Sequence, residues 1–591
     1  MDKQELPTSV APPGGISKPT RLTPIVTKIL SASCILASLF LFFSSSKVHD
    51  FKYSTNSFPI FEFADDSLCP VSTKVVPENY DALENTINTI LHDKTFRNAS
   101  AAKLGGAVKI PTEVTEEWRD IYGEHFKPFG DLHQYLADTF PKVHANLKLD
   151  KVNTYGLVYT WEGSDSDLKP ILLTAHQDVV PVEWATEDKW SYHPYSGYYD
   201  GEFVWGRGSS DCKNLLVGLL ETMELLLEEG YQPNRTLVLG FGYDEEAMGD
   251  LGAEQIAGFL EDRYGKDSFY AVIDEGNSGF FKTEDVFLAI IATGEKGYVD
   301  SHITLRTPGG HSSVPPDHTS IGILSQLVNE IEDTPFEPIL SNINPHFGYL
   351  QCFASHSNNI DKSLKSNILK AGMDSEANAA IVKFLHEDIA TRYYIQTSQA
   401  IDIIQGGIKS NALPESVTIV VNSRISVDSN VEETVDKLTT NVLKVAEEFD
   451  LGVVVDEKII RPITDNGYFN YTATAPLEAA PSTPWSGDVW DTFTGSLRFF
   501  YEDVMYSDQF DGKPVISTPG MSTGNTDTKS YWNLTSNIYR YMPGEMQDDA
   551  EMSGGIHSVN ENASMEAHLN VIAFYYLYLR NIDVSTHFDK Q

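Results

Sequence analysis

Four short apolar runs, each closing on ionisable residues, constrain the fold of this chain more than any other feature. They are KPILLTAHQD, ending at His176 and Asp178; FVWGRGSSD, ending at Asp211; RTLVLGFGYDEE, ending at Glu245 and Glu246; and FYAVIDEG, with Asp274 near its end. Strands that are apolar without alternation are buried on both faces, which points to a sheet covered by helices. Between the second and third runs lies NLLVGLLETMELLLEEG, whose leucines recur at helical spacing and which stops at Gly230, three residues before Pro233. The order strand, helix, strand, helix predicts an α/β protein built on a largely parallel sheet. The sheet is expected to be mixed, because a polar loop without a helix joins the first two runs.

At 591 residues the chain exceeds what one hydrophobic core usually serves. A second texture starts near 297: GYVDSHITLRT alternates like a strand, SIGILSQLVNEIED reads as a helix, SVTIVVNSRIS as a strand, VEETVDKLTTNVLKVAEEF as a helix and LGVVVDEKII as a strand. That β-α-β-α-β order predicts an α+β, ferredoxin-like unit over 297–464. It would interrupt a larger α/β domain made of 80–296 and 465–591, whose last element is the apolar helix ASMEAHLNVIAFYYLYLRNI. The stretch from about 335 to 400 is poorly periodic and reads as an insertion.

Residues 24–43, PIVTKILSASCILASLFLFF, are apolar apart from Lys28, and the uncharged part is just long enough to span hydrocarbon. Lys18, Arg21 and Lys28 on its N-terminal side predict a cytosolic tail (1–23), a transmembrane signal anchor (24–44) and a lumenal stem (45–79). A cleaved signal peptide, giving a secreted protein, is the rival reading, although no small-x-small cleavage site follows. Asn98, Asn234, Asn470 and Asn533 begin N-x-S/T triplets and are candidate glycosylation sites on the lumenal side; Asn562 also begins one. A formal charge of −41 excludes nucleic acid as a partner. Only four cysteines occur, so no disulfide framework holds the fold; one pair could form, and the sequence does not choose it.

Reactive groups of open α/β sheets collect beyond the carboxyl ends of strands. Taken singly the candidates are weak: an H-x-D is more often a surface loop, adjacent glutamates a solvated face, and Asp211 a helix cap. Taken together they supply an imidazole, terminal and bridging carboxylates and a spare base, a set that zinc accepts while leaving a position open for water.

The stretches LLTAHQDVVPV, WGRGSSDCKN, GYDEEAMG, IDEG, PGGHSSVPPDH and GIHSVNENAS resemble, in order and spacing, the co-catalytic zinc metallopeptidase family that contains aminoacylase, glutamate carboxypeptidase and succinyl-diaminopimelate desuccinylase. Within it the chain is most similar to the fungal vacuolar Gly-X carboxypeptidases. The resemblance implies two zinc ions, with Asp211 bridging, Glu246 and His557 completing one site, and His176 and Asp274 the other. Glu245 would be the general base and Asp178 would orient His176. His311, in PGGHSS, would stabilise the oxyanion from a lid, 297–464, that also serves dimerisation, so a homodimer is compatible. Arg424 and Asn411 would hold the substrate carboxylate, and GNTDTK at 524–529 resembles a loop lining the site. A glycan at Asn562 would crowd that site, five residues beyond His557.

These expectations describe a carboxypeptidase acting on small peptides in the vacuole. An amidohydrolase of N-acyl amino acids would use the same groups. A second zinc exopeptidase family supplies the same residue order, but the span from Asp274 to His557 leaves room for an inserted lid carrying PGGHSS. A receptor that kept the fold would be expected to lose ligands, and none is missing.

Overall fold

The computed structural model describes residues 68–283, 285–507, 509–548 and 555–584. The expected tail, the anchor at 24–44 and most of the stem lie outside them. No helix among the described residues is long and apolar enough to cross a membrane.

Two sheets organise the chain. The larger begins with β1 (Lys148–Val152), β2 (Gly156–Trp161), β3 (Ile171–His176), β4 (Leu237–Gly242), β5 (Val272–Lys282) and β6 (Phe287–Glu295). The smaller contains β7 (Gly297–Arg306), β8 (Ala400–Gly406), β9 (Ser416–Ile425), β10 (Gly452–Val455), β11 (Lys458–Arg461) and β12 (Tyr468–Leu477). The chain then returns to the larger sheet with β13 (Val515–Ser522) and β14 (Ile538–Asp548), giving the order β1-β2-β4-β3-β5-β14-β6-β13. It is mixed: β3 is parallel to β4 and β5, and β14 to β5, whereas β2 is antiparallel to β4.

Side-chain alternation explains the unbroken apolar runs. Leu172, Val238 and Val272 join Ile256 and Leu260 of the helix Ala253–Tyr264 in one core. Their strand neighbours Leu173, Leu239 and Ile273 join another, with Leu216 and Leu220 of Lys213–Glu228 and Ile572 of the C-terminal helix Met565–Asp583. Neither face meets water, and each leucine so buried contributes about 1.5–3 kcal/mol. The helix Met565–Asp583 is thus apolar because it lies in this core; Ser564 caps it by accepting from the amides of Glu566 and Ala567.

Three expectations change. The run FVWGRGSSD does not enter the large sheet: Phe203–Trp205 forms a separate three-stranded sheet with Tyr198–Tyr199 and Asn562–Ser564. Only three residues are extended before Gly206 and Gly208, at φ 145° and 82°, turn the chain. The run LGVVVDEKII is a hairpin rather than one strand, reversing at Asp456 and Glu457, both at positive φ. The strand β12 lies beyond the expected boundary at 464 and yet belongs to the second sheet, pairing with β7 and β10.

That sheet runs β8-β9-β7-β12-β10-β11, with the helices Ser320–Asp333 and Val431–Glu448 packed on one face. Residues 345–392 form four helices. They pack on β6 and β13 of the large sheet: Phe347, Leu350 and Phe353 lie against Leu288, Ile290 and Ile516. The pairing left open by the sequence is Cys69–Cys352, with Cα atoms 5.0 Å apart, while Cys212 is free and buried.

Candidate metal centre

The strand β3 ends at His176, whose ring is buried. Its Nδ1 lies 3.1 Å from the Asp178 carbonyl oxygen and 3.3 Å from Asp178 Oδ1, which leaves Nε2 to face the cleft. Asp178 also accepts the Glu246 amide on Oδ2 at 2.9 Å, so one carboxylate fixes both the imidazole and the loop after β4.

Asp211 stands in the turn before the helix Lys213–Glu228, joined to Cys212 by a cis peptide bond. Its Oδ1 is 3.0 Å from His176 Nε2 and its Oδ2 is 3.2 Å from His557 Nε2. The Glu246 carboxylate reaches the same His557 nitrogen at 3.0 Å. Two triads therefore share Asp211: His176, Asp211 and Glu275 on one side, with Cys212 beside them, and Asp211, Glu246 and His557 on the other. Glu245 groups with His176 and Glu246. Donor atoms in each set lie within 4.8 Å of one another.

Burial raises the Asp211 carboxyl, but hydrogen bonds from His176 and His557 outweigh it and hold the group well below the carboxylate range. Those bonds from Asp211 and Glu246 push His557 up to about 10. Burial pushes Glu245 well above its ordinary value, helped by Glu246 and Glu275, and carries Glu275 to about 8 against the pull of His176. The carboxylates are thus paired with protons on imidazoles and on one another. Divalent cations would replace those protons, and two imidazoles with three carboxylates make a donor set that fits zinc. Because His557 is protonated at neutral pH without a cation, metal affinity at its triad rises with pH through that range.

One expected ligand, Asp274, belongs to neither triad. Asp274 is buried on the opposite side of β5, against Thr174 and near Arg540, and its Oδ2 has no hydrogen-bond partner. Its neighbour Glu275 instead brings Oε1 to 3.3 Å from His176 Nε2. Successive side chains of a strand point to opposite faces, so only one of the two can enter the cleft. Glu275→Ala is expected to lower affinity at the His176 triad by more than about 100-fold, and Asp274→Asn by about 10-fold or less. Zinc competition against a chromophoric chelator measures both; the reverse order would return the ligand role to Asp274.

The remaining candidates lie on the second sheet. His311 sits on an exposed two-residue strand paired with Ala412–Leu413, its Nδ1 2.7 Å from Ser313 Oγ. Asn411 is exposed beside it and accepts the Ser312 amide. Neither contacts the triads within this chain. Arg424, on β9, stacks over Tyr298 and donates to Asn525 Oδ1 at 3.2 Å, in the loop 524–529. Asn98, Asn234 and Asn533 are exposed, whereas Asn470 is half-buried within β12 and Asn562 half-buried beside Asn560.

The profile of peptidase family M20/M25/M40 matches residues 172–581. Carboxypeptidase S of Saccharomyces cerevisiae is 44% identical over 519 residues, covering 87% of this chain and 89% of its own. Human N-fatty-acyl-amino acid synthase/hydrolase PM20D1 is 31% identical, over 83% of this chain and 89% of its own. Among solved structures, an M20 family metallo-carboxypeptidase of Sulfolobus solfataricus superimposes with a TM-score of 0.55 at 16% identity, covering 82% of this chain and 99% of its own. Human carnosine dipeptidase 1 does so at 0.56 and 14% identity, over 86% and 99%.

Proposed function

The chain belongs to peptidase family M20/M25/M40, and from that membership we propose that it is a two-zinc carboxypeptidase that removes C-terminal residues from short peptides of the Gly-X type. The observation that carries this reading is the Asp211 carboxylate, which offers one oxygen to each of two imidazoles with Glu245 alongside. When bound, two zinc ions would supply Lewis acidity, polarising the scissile carbonyl and making water acidic enough to be deprotonated near neutral pH.

The chain's own groups do the rest. Glu245 takes a proton from the attacking water and passes it to the leaving amine. Asp178 holds His176 in the tautomer that turns Nε2 to the cleft. Arg424 offers a guanidinium fork to the substrate's terminal carboxylate, with Asn411 as a further donor. His311 donates to the oxyanion. Because His311 and Asn411 stand away from the triads of their own chain, a partner subunit is their natural source. The exposed edge strand β8, with Ile403 and Ile404 uncovered, supports such a homodimer.

In this reading 80–296 and the segment after β12 form the catalytic domain, and β7 to β12 with their helices the lid. Residues 24–44 anchor the protein with its catalytic part in the vacuolar lumen. The Cys69–Cys352 disulfide supports an oxidising compartment, and exposed Asn98, Asn234 and Asn533 are the sequons such a location would glycosylate first.

A second reading, hydrolysis of N-acyl amino acids, is favoured by the name of the human relative. Turnover of blocked Gly-Leu dipeptides against long-chain N-acyl amino acids, with zinc content measured on the same preparation, decides between them. Two zinc ions with preference for the dipeptide is expected; a metal-free yet active protein would end both readings.

A further inference from the structure

Glu561 is 1% exposed and lies four residues after His557, in a segment whose next residues pair with Phe203–Trp205. Its Oε1 accepts the backbone amides of Ser210 at 3.1 Å and Asp211 at 3.3 Å. Its Oε2 accepts Arg207 Nη1 at 2.7 Å, and its carbonyl oxygen accepts the Gly206 amide at 2.9 Å. A single residue 350 positions downstream of Asp211 thus grips the turn that presents the bridging carboxylate at both of its ends.

The described part of the loop that presents His557 is also held by Asn560, whose Oδ1 accepts the Ser191 amide at 2.6 Å. His557 is half-exposed at φ 55°, and its following turn closes through the Ser558 amide on the Gly555 carbonyl. Glu561, by joining the two loops, is among the contacts that set the 3.2 Å separation between Asp211 Oδ2 and His557 Nε2. Metal ligands are oriented by the groups that hold them as much as by their own rotamers. A carboxylate suits this task better than an amide, because three donors converge on it and a glutamine would offer one acceptor and turn an N–H₂ on the others.

We propose that Glu561 is a positioning residue of the metal centre: by tying the Asp211 turn to the His557 loop it sets the affinity of the Asp211, Glu246 and His557 triad more strongly than that of the His176 triad, which shares Asp211 but not the His557 loop. The proposal rests on the two-zinc reading above. A merely structural ion pair with Arg207 would have a different signature, a loss of thermal stability with both metal affinities altered alike.

The test uses the full chain in detergent, with zinc titrated against a chromophoric chelator and Tm recorded for wild type, Glu561→Gln and Arg207→Met. Two zinc ions per wild-type chain are expected. In Glu561→Gln one ion should keep most of its affinity and the second should lose roughly 10- to 100-fold. Arg207→Met removes the ion pair but keeps the bonds to the amides, so it should lower Tm while holding the second zinc within about threefold of wild type, far below that range. Equal affinities in wild type and Glu561→Gln overturn the proposal, as does failure of Glu561→Gln to fold or an equal loss of zinc in Arg207→Met. A wild type that binds one zinc or none overturns the two-zinc reading itself, independently of Glu561.

Discussion

Asp211→Ala is expected to empty both metal sites and to lower hydrolysis by about 10⁴-fold or more. Its two oxygens face different imidazoles at 3.0 and 3.2 Å, so alanine removes a donor from each triad at once. It also leaves Glu246 and Glu275 with one compensating imidazole apiece, His557 and His176. Bound cations would supply several kcal/mol of charge stabilisation, and each 1.36 kcal/mol lost is a factor of ten in rate. Metal content by atomic emission and turnover of a blocked dipeptide measure the two halves of this expectation. A variant that keeps two ions per chain would show that Asp211 does not bridge.

Glu245→Ala should separate binding from chemistry. The carboxylate groups with His176 and Glu246 but belongs to neither of the triads that share Asp211. Both ions should stay, while kcat falls by roughly 10²- to 10⁴-fold, the usual contribution of a positioned general base. KM should change little, because the lost interaction acts in the transition state rather than in substrate binding. Burial and the neighbouring acids raise the Glu245 carboxyl, and a basic carboxylate is better matched to taking a proton from water near neutral pH. Wild-type kcat in the fully loaded variant would remove Glu245 from the mechanism.

Much of the large sheet was legible because burial on both faces leaves a signature that no surface strand carries: Ile171–His176 and Leu237–Gly242 are buried along their whole length. The helix Lys213–Glu228 was legible for a similar reason, its leucines alternating between turns. Phe203–Trp205 was misplaced because three apolar residues make equally good sense in a large sheet or a small one. The return of Tyr468–Leu477 to the second sheet left no local trace, since its partners β7 and β10 lie earlier in the chain and only their pairing makes it a strand of that sheet.

The amino-acid order by itself determined which residue types would meet: histidine, aspartate and glutamate at the ends of buried strands, in motifs whose spacing belongs to one family. It determined the helical and extended segments that carry them, because periodicity and apolar runs are local properties. Only the tertiary structure decided that Glu275 rather than Asp274 enters the cleft, which follows from the pleat and register of β5. It alone paired Cys69 with Cys352 and closed Glu561 onto the Asp211 turn. Those contacts join residues about three hundred positions apart, and no pattern within a short stretch of chain encodes a distance of a few ångströms between segments that approach each other only when the core has formed.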